Sequence, residues 1–248
     1  MLSKNKLKFI RSLESKKQRD ETGLFLAEGN KLVADILPFF DCELLLANPS
    51  WMAMQGDLPV RELIAAGEND IARASLLKNP QDVIAVFVQP RRRLDTETLK
   101  NELTLALDGI QDPGNLGTIL RLADWFGIRT VIASPDTADV YNPKTVQASM
   151  GGIARVEVFY EPLPALFDAL EGLPIYGTFL DGSVLYEEKL TPNGLIVMGN
   201  EGNGIRPETE RRIARRLYIP DFPPGKGVAE SLNVAAATAI ICAEFRRQ

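Results

Sequence analysis

The chain predicts an α/β protein of two domains, the larger one C-terminal and built on a mostly parallel sheet. From Leu103 onward, short apolar runs alternate with helix-periodic segments, the spacing of a parallel sheet covered on both faces. Before Gln89 a smaller alternation fills roughly ninety residues, which is domain-sized. Between the two, Pro90-Arg91-Arg92-Arg93 and the polar residues up to Asn101 shift the composition to that of a linker. The predicted boundaries are 1–90 for the N-terminal domain, 91–102 for the linker and 103–248 for the larger domain.

Leu7, Ile10 and Leu13, with their basic neighbours, predict one amphipathic helix ending before Thr22-Gly23. Leu24 to Glu28 predicts a strand, and Gly29 turns the chain into a helix through Leu32, Val33, Ile36 and Leu37. A strand around Glu43 to Ala47, one or two helices between Arg61 and Leu77, and a strong strand at Val83 to Val88 complete the first domain. In the second, Leu103 to Leu107 is a strand, Asp108 to Gly114 is rich in turn formers, and a helix runs from about Leu116 to Phe126 with Gly127 after it. Strands follow at Arg129 to Ala133, Ala154 to Phe159 and Ile175 to Leu180. Helices between them open at Tyr141-Asn142-Pro143-Lys144 and span Leu163 to Leu170. The last part adds a strand, a glycine loop, an Arg-rich helix, a Tyr218-Ile219 strand and a helix to Arg247.

Composition removes several function classes. The 248 residues include no histidine, so the Ser-His-Asp, Cys-His and H-E-x-x-H chemistries are excluded, and no metal site is expected. Cys42 and Cys242 stand apart in apolar surroundings, as reduced core residues do. The N-terminus lacks the apolar run of a signal peptide and no stretch reaches the length of a membrane span, which makes the cytoplasm the expectation. A net charge of −5 argues against coating nucleic acid by bulk charge. Its distribution is uneven, with Lys4, Lys6, Lys8, Arg11, Lys16, Lys17 and Arg19 opposed only by Glu14 before Asp20. Such a cluster reads as phosphate contacts or as a solvated helix face, and the N-terminal one is the preferred phosphate site.

The unusual residues gather near the C-terminus. Leu195 to Met198 reads as a buried strand, and Gly199-Asn200-Glu201-Gly202-Asn203-Gly204 after it is a loop with three glycines in six positions. Its order, G-x-x-G-x-G, is not the dinucleotide fingerprint, and Pro224-Gly225-Lys226-Gly227 lacks the first Gly and the Ser/Thr of a phosphate loop. On its own the loop reads as a structural turn or as the rim of a pocket at a strand's carboxyl end. Asn115 likewise reads as a helix N-cap, and Ser231, ahead of Ala235-Ala236-Ala237, as the start of a helix. Arg121, among Leu120, Leu122 and Ala123, is a charge in apolar company that needs a partner or a phosphate.

The glycine loop, Ile219-Pro220 and Glu230-Ser231-Leu232-Asn233-Val234 follow, in that order, an upstream Asn115-Leu116-Gly117-Thr118-Ile119-Leu120-Arg121. In this the chain resembles the SpoU (TrmH-like) RNA ribose 2′-O-methyltransferases of the SPOUT superfamily over almost its whole length. The resemblance implies a C-terminal trefoil knot, and an N-terminal RNA-recognition domain, similar to a ribosomal-protein fold, carried by Gly23 to Gly29. It implies methyl transfer from S-adenosylmethionine to a ribose 2′-hydroxyl without a metal, in a homodimer formed through the C-terminal domain. Catalytic positions carried over are Asn115, Arg121, Glu201, Ser231 and Asn233. Gly199, Asn200, Gly202, Ile219, Ser231 and Leu232 are carried over as cofactor-binding. A guanidinium is almost never deprotonated, so Arg121 is expected to hold the target phosphate and stabilise charge on the 2′-oxygen, with Glu201 as the nearby acceptor. Lys4, Lys6, Lys8, Arg11, Arg19 and Lys144 are the expected RNA contacts, and Ser149, Met150 and Gly151 match a further family segment. Ribosomal RNA is favoured over transfer RNA because of the separate N-terminal domain. Transfer RNA, base methylation and a non-catalytic RNA-binding or ribosome-assembly module are the alternatives. The connector Asp221 to Ala229 is longer and richer in proline than the family's usual one.

Overall fold

The computed structural model describes residues 2–223 and 231–248, so the Pro224-Gly225-Lys226-Gly227 comparison, most of the long connector and Glu230 lie outside the described residues. The chain divides into two compact units, Met1–Arg92 with Asp139–Ala154, and Arg93–Ala138 with Arg155–Gln248.

The first unit opens with two helices where the sequence predicts one. Ser3 caps α1 (Lys4–Ser12), which stops at Leu13, and Ser15 begins α2 (Lys16–Thr22). The break has a tertiary cause. Arg19 Nη1 reaches back to the carbonyls of Leu13 (2.9 Å) and Glu14 (2.7 Å), groups that a helix end leaves unpaired. Gly23, at φ 65°, turns the chain into β1 (Leu24–Glu28), which is followed by α3 (Asn30–Ile36) and β2 (Cys42–Ala47). Next come α4 (Pro49–Met54), β3 (Leu63–Ala65), α5 (Glu68–Ala74) and β4 (Val83–Val88). The sequence reading did not anticipate α4 or β3. The sheet runs β1-β4-β2-β3, with β4 antiparallel to both neighbours and β2 parallel to β3. Its core holds Ile10, Leu13, Leu26, Leu44, Leu46 and Val86.

In the second unit α6 (Thr96–Leu99) lies within the predicted linker and precedes β5 (Leu103–Asp108), α7 (Pro113–Trp125) and β6 (Thr130–Ala133). Residues Asp139–Ala154 belong to the first unit although the sequence reading runs them into the second domain. There α8 (Pro143–Ser149) packs on β1, the Tyr141 ring lies 4.8 Å from Phe25, and Asp139 pairs with Arg19. The second unit resumes with β7 (Glu157–Tyr160), α9 (Leu163–Ala169), β8 (Ile175–Val184) and β9 (Gly194–Gly199). It ends in α10 (Pro207–Glu210), β10 (Arg215–Tyr218) and α11 (Val234–Arg247). The predicted Arg-rich helix is only one turn, and the strand expected at Tyr218-Ile219 lies earlier. Arg215 and Arg216 lay their guanidinium groups 5.6 and 3.5 Å from the rings of Tyr176 and Phe179, which suits an edge strand beside β8.

All pairings in the six-stranded sheet β10-β8-β9-β5-β6-β7 are parallel. The chain leaves β5 toward β6 and β7, and β9 later arrives on the other flank of β5. The carboxyl ends of β5 and β9, paired at Asp108 and Gly199, are therefore the switch point where such sheets keep their ligands. Among the described residues no helix is long and apolar enough to cross a membrane.

Candidate active site

Three distant segments meet at the switch point through side-chain amides. Asp112 caps α7 by accepting from Asn115 N at 2.9 Å, and Pro113 fills the first helical position. Asn115 is therefore not the cap, and its side chain is free to bridge. A carboxylate only accepts, so Asn115 turns Nδ2 toward Glu201 Oε1, 2.7 Å away, and offers Oδ1 to Asn233 Nδ2 at 3.1 Å. Asn233, not Ser231, caps α11, its Oδ1 accepting from Ala235 N and Ala236 N at 3.0 and 3.3 Å. Packing of α11 on α7 holds the two ends of this relay.

The glycine loop is braced from within. Asn200 pairs N–H and carbonyl with Gly204, and its side-chain Oδ1 accepts from Gly202 N (3.0 Å) and Asn203 N (3.1 Å). Its Nδ2 donates to Gly109 O at 2.7 Å, so this side chain, carried over as a cofactor contact, ties two loops together. A Cβ on Gly199 would stand 2.4 Å from Gly204 C and 2.5 Å from Ile205 N. The glycine is thus required by closure of the loop itself, a physical reason different from the expected approach to a ligand.

Beneath the loop lies a network that sequence reasoning missed. Asp108, fully buried at the end of β5, accepts from Arg206 N at 2.9 Å and from Arg206 Nε at 2.7 Å, and Arg206 Nη2 joins the same carboxylate. Arg206 Nη1 is 3.3 Å from Asp136. Asp136 is held below its usual range mainly by the Ser134 hydroxyl at 2.7 Å, with Arg206 adding a smaller pull. Ser134 also accepts from Gly109 N at 2.9 Å, so three loops at the strand ends are cross-braced. The only local signal was an acidic residue ending an apolar strand.

Arg121 is exposed, and among the described residues it makes no hydrogen bond or ion pair. The expectation that its apolar neighbours enclose it is overturned: at 100° per residue Leu116, Ile119, Leu120 and Ala123 face the core while Thr118, Arg121 and Trp125 face outward. It lies about 9 Å further along the helix axis than Asn115. Ser231, Glu201 and Gly202 are exposed, Ile219 is half-buried and Leu232 is 51% exposed.

Of the expected RNA contacts, Lys4, Lys8 and Lys144 are exposed. Lys6 pairs with Glu62, and Arg11 Nη1 donates to the carbonyls of Arg73 and Ser75, both at 3.1 Å. Arg19 is 1% exposed and bound to Asp139 Oδ2 at 2.6 and 3.0 Å, which corrects its assignment to an RNA face. Both cysteine thiols are pushed up to about 12 by burial, in keeping with core positions.

An open parallel domain with amide and carboxylate side chains convergent at its switch point has the form of a ligand-positioning α/β site. The chain belongs to the SpoU rRNA Methylase family, which matches residues 102–243, and residues 4–85 match the MRM3-like substrate binding domain. It is 32% identical over 246 residues to the 23S rRNA (guanosine(2553)-2′-O)-methyltransferase RlmP of Bacillus subtilis (strain 168), covering 97% of this chain and 96% of that protein. Among solved structures it is similar to an RNA methyltransferase assigned to the TrmH family from Porphyromonas gingivalis, with a TM-score of 0.89 and 43% identity over 100% of this chain and 99% of that one. It is also similar to an AdoMet-bound rRNA methyltransferase from Sinorhizobium meliloti, with a TM-score of 0.84 and 32% identity over 100% and 96% of the two chains.

Proposed function

We propose that the protein transfers a methyl group from S-adenosylmethionine to a ribose 2′-hydroxyl of ribosomal RNA. The observation that carries this reading is the Glu201–Asn115–Asn233 relay, which draws three sequence-distant segments together at the carboxyl ends of β5 and β9. The residues present fit the cofactor: Leu232 and Ile219 leave apolar surface uncovered for an adenine, beside a loop closed without side-chain bulk at Gly199. Gly202 adds an exposed backbone position on the same loop, and Ser231 an exposed hydroxyl one residue before Leu232. When bound, S-adenosylmethionine supplies an activated methyl, and the protein's part is alignment and management of the hydroxyl proton.

Asn115 fixes the Glu201 carboxylate by donating to one oxygen, and the other oxygen remains to accept from the ribose hydroxyl. Arg121, a permanent cation on the exposed face of α7, holds the target phosphate and offsets negative charge developing on the 2′-oxygen. Asn200 orders the loop and Asn233 ties α11 to the relay. The first unit binds RNA with Lys4 and Lys8, which are exposed while Lys6 is engaged by Glu62 and Arg11 by backbone carbonyls, and with Lys144 in the opening turn of α8.

The same reading takes the catalytic domain to be trefoil-knotted, with α11 threaded through a loop of its own domain. It also takes the working form to be a cytoplasmic homodimer through the second unit, with the exposed Trp125 of α7 as one candidate contact. Incubation with ribosomal and transfer RNA transcripts, followed by nucleoside analysis of the digest, tests the function. A 2′-O-methyl nucleoside from ribosomal RNA is expected. A methylated base, or label on transfer RNA alone, overturns the assignment.

A further inference from the structure

Both feet of the glycine loop stand on one carboxylate. The entry foot, Gly199, is the ladder partner of Asp108 across β9 and β5. The exit foot, Arg206, gives the Asp108 side chain its backbone N–H, 2.9 Å from Oδ2, and its Nε, 2.7 Å from Oδ1, with Nη2 on the same Oδ1. Backbone and side chain of one residue thus bind the two oxygens of one fully buried carboxylate. From the far side Asp136 stands 3.3 Å from Arg206 Nη1, and the Ser134 hydroxyl that donates to Asp136 also accepts from Gly109 N, next to Asp108. Between the feet the loop is stiff. Asn200 and Gly204 exchange N–H···O bonds at 3.0 and 2.9 Å, and Asn200 Oδ1 accepts from Gly202 N and Asn203 N. Glu201 reaches from this stiff unit to Asn115. A loop braced in this way moves as one body, so its feet decide whether the Glu201 carboxylate comes within reach of Asn115.

Stability alone does not call for the arrangement. Ile205, 7% exposed, already seats the exit foot in the apolar core with Ala106, Ile132 and Val197. Apolar contact is non-directional, so it holds the foot on the sheet without fixing where along the sheet it lies. A buried ion pair adds little net stability beside apolar residues of the same size, because desolvation offsets the attraction. What the fork adds is direction. Charge-assisted bonds from a planar guanidinium are geometrically narrow, and the backbone donor on the second oxygen locks main chain and side chain together.

We propose that Asp108 and Arg206 are positioning residues for methyl transfer, their fork fixing the glycine loop at the place where Glu201 meets the ribose hydroxyl. The inference rests on the function proposed above and assigns it two residues that act through Glu201.

Arg206→Lys keeps the charge and the backbone bond but loses the fork, and Asp108→Asn keeps the shape but loses the charge. Both are measured in the full chain at a temperature where thermal melts show it folded; should Asp108→Asn not fold, Arg206→Lys carries the test. Methyl transfer to ribosomal RNA should lose about tenfold or more in kcat, since a misplacement of about 1 Å costs up to about 10²-fold, while KM for RNA and calorimetric affinity for S-adenosylhomocysteine stay within about threefold. Hydrogen exchange without cofactor or RNA reads the loop independently of turnover. Amides of residues 200–204 should exchange faster in the variants, with those of β5 and α7 at the wild-type rate. Unchanged kcat in Arg206→Lys, a kcat loss matched by equal loss of RNA and S-adenosylhomocysteine binding, or loop exchange at the wild-type rate would overturn the proposal. Unchanged loop exchange beside a wild type that yields 2′-O-methyl nucleoside rejects the fork and leaves the function standing. Faster loop exchange in the variants beside a wild type that yields only methylated base rejects the ribose reading and supports the fork as what places the loop.

Discussion

Arg19→Met removes the staple of the first unit while keeping the length of its aliphatic stem. Arg19 is 1% exposed, and its Asp139 partner's side chain is 14% exposed. The substitution deletes two bonds to Asp139, at 2.6 and 3.0 Å, and two to the carbonyls of Leu13 and Glu14, at 2.9 and 2.7 Å. Breaking a buried ion pair by removing one partner costs about 3–5 kcal/mol. Asp139 keeps its bond from Tyr141 N at 2.9 Å and some access to water, which moves the pair toward the low end. The two carbonyls at the end of α1 lose their donors, adding about 1 kcal/mol each where water does not replace them. A loss of about 3–5 kcal/mol follows, a large share of the roughly 5–15 kcal/mol that holds a domain folded. Urea unfolding followed by tryptophan fluorescence reads this directly, because Trp51 is 2% exposed in the first unit whereas Trp125 is 83% exposed and changes little. The first-unit transition should move to markedly lower urea, and the variant, where folded, should keep its RNA affinity. A loss below about 1 kcal/mol would refute the energetic argument. A tenfold loss of RNA affinity without destabilisation would return Arg19 to the phosphate-binding role that its sequence neighbourhood suggested.

Arg121→Ala should lower methyl transfer by about 10²–10³-fold, the size of losing one transition-state charge donor, with cofactor affinity by calorimetry within a few-fold. Parallel loss of both would remove Arg121 from the chemistry. Arg206→Ala leaves the buried Asp108 carboxylate without its cation. The side chain of Arg206 is 38% exposed, so water offsets part of the cost and about 2–3 kcal/mol remains, a fall of roughly 5–10 °C in the melting temperature of the second unit. Arg206→Lys should fall between, keeping charge without the fork, and an unchanged melting temperature in Arg206→Ala would contradict the bracing role. Burial raises the folded pKa of Glu28 above the ordinary glutamate value of about 4.5, so the native state holds its proton more tightly than the unfolded chain. Its contribution to stability is present below about pH 4.5 and is lost as pH rises through the folded value. Urea unfolding of wild type and Glu28→Gln across that window should show wild type losing ground as pH rises, and a constant difference would remove burial as the dominant influence.

The parallel sheet was legible because β5 and β9 are buried almost throughout, and strands of that kind read as unbroken apolar runs. Local patterns failed where distant residues decide. The α1–α2 break exists because Arg19 folds back onto carbonyls five and six residues earlier, and helical periodicity runs straight through it. The Asp139–Ala154 excursion is fixed by contacts to Phe25, Arg19 and β1, none of which leaves a local signature. The run from Arg211 to Arg216 looked helical by composition, yet Tyr176 and Phe179 stand in β8 to receive its last two stems and it becomes a sheet edge.

Cap and site looked like rival explanations for Asn115 and for the residues before α11, and the structure separates them by atom. Asp112 does the capping for α7, which leaves both ends of the Asn115 amide for Glu201 and Asn233. Asn233 does both jobs, capping with Oδ1 and donating to Asn115 with Nδ2. Its two roles can be split by one substitution. Asn233→Asp caps as well as asparagine and adds a favourable charge at the start of a 14-residue helix, so thermal stability should hold or rise slightly. A carboxylate has no hydrogen to give Asn115 Oδ1, however, so the relay opens and Asn115 is released to turn away from Glu201. Methyl transfer should fall about tenfold or more with α11 intact by far-ultraviolet circular dichroism. Undiminished turnover in that variant would mean that the contact between Asn233 and Asn115 holds the fold together and contributes nothing to the placement of Glu201.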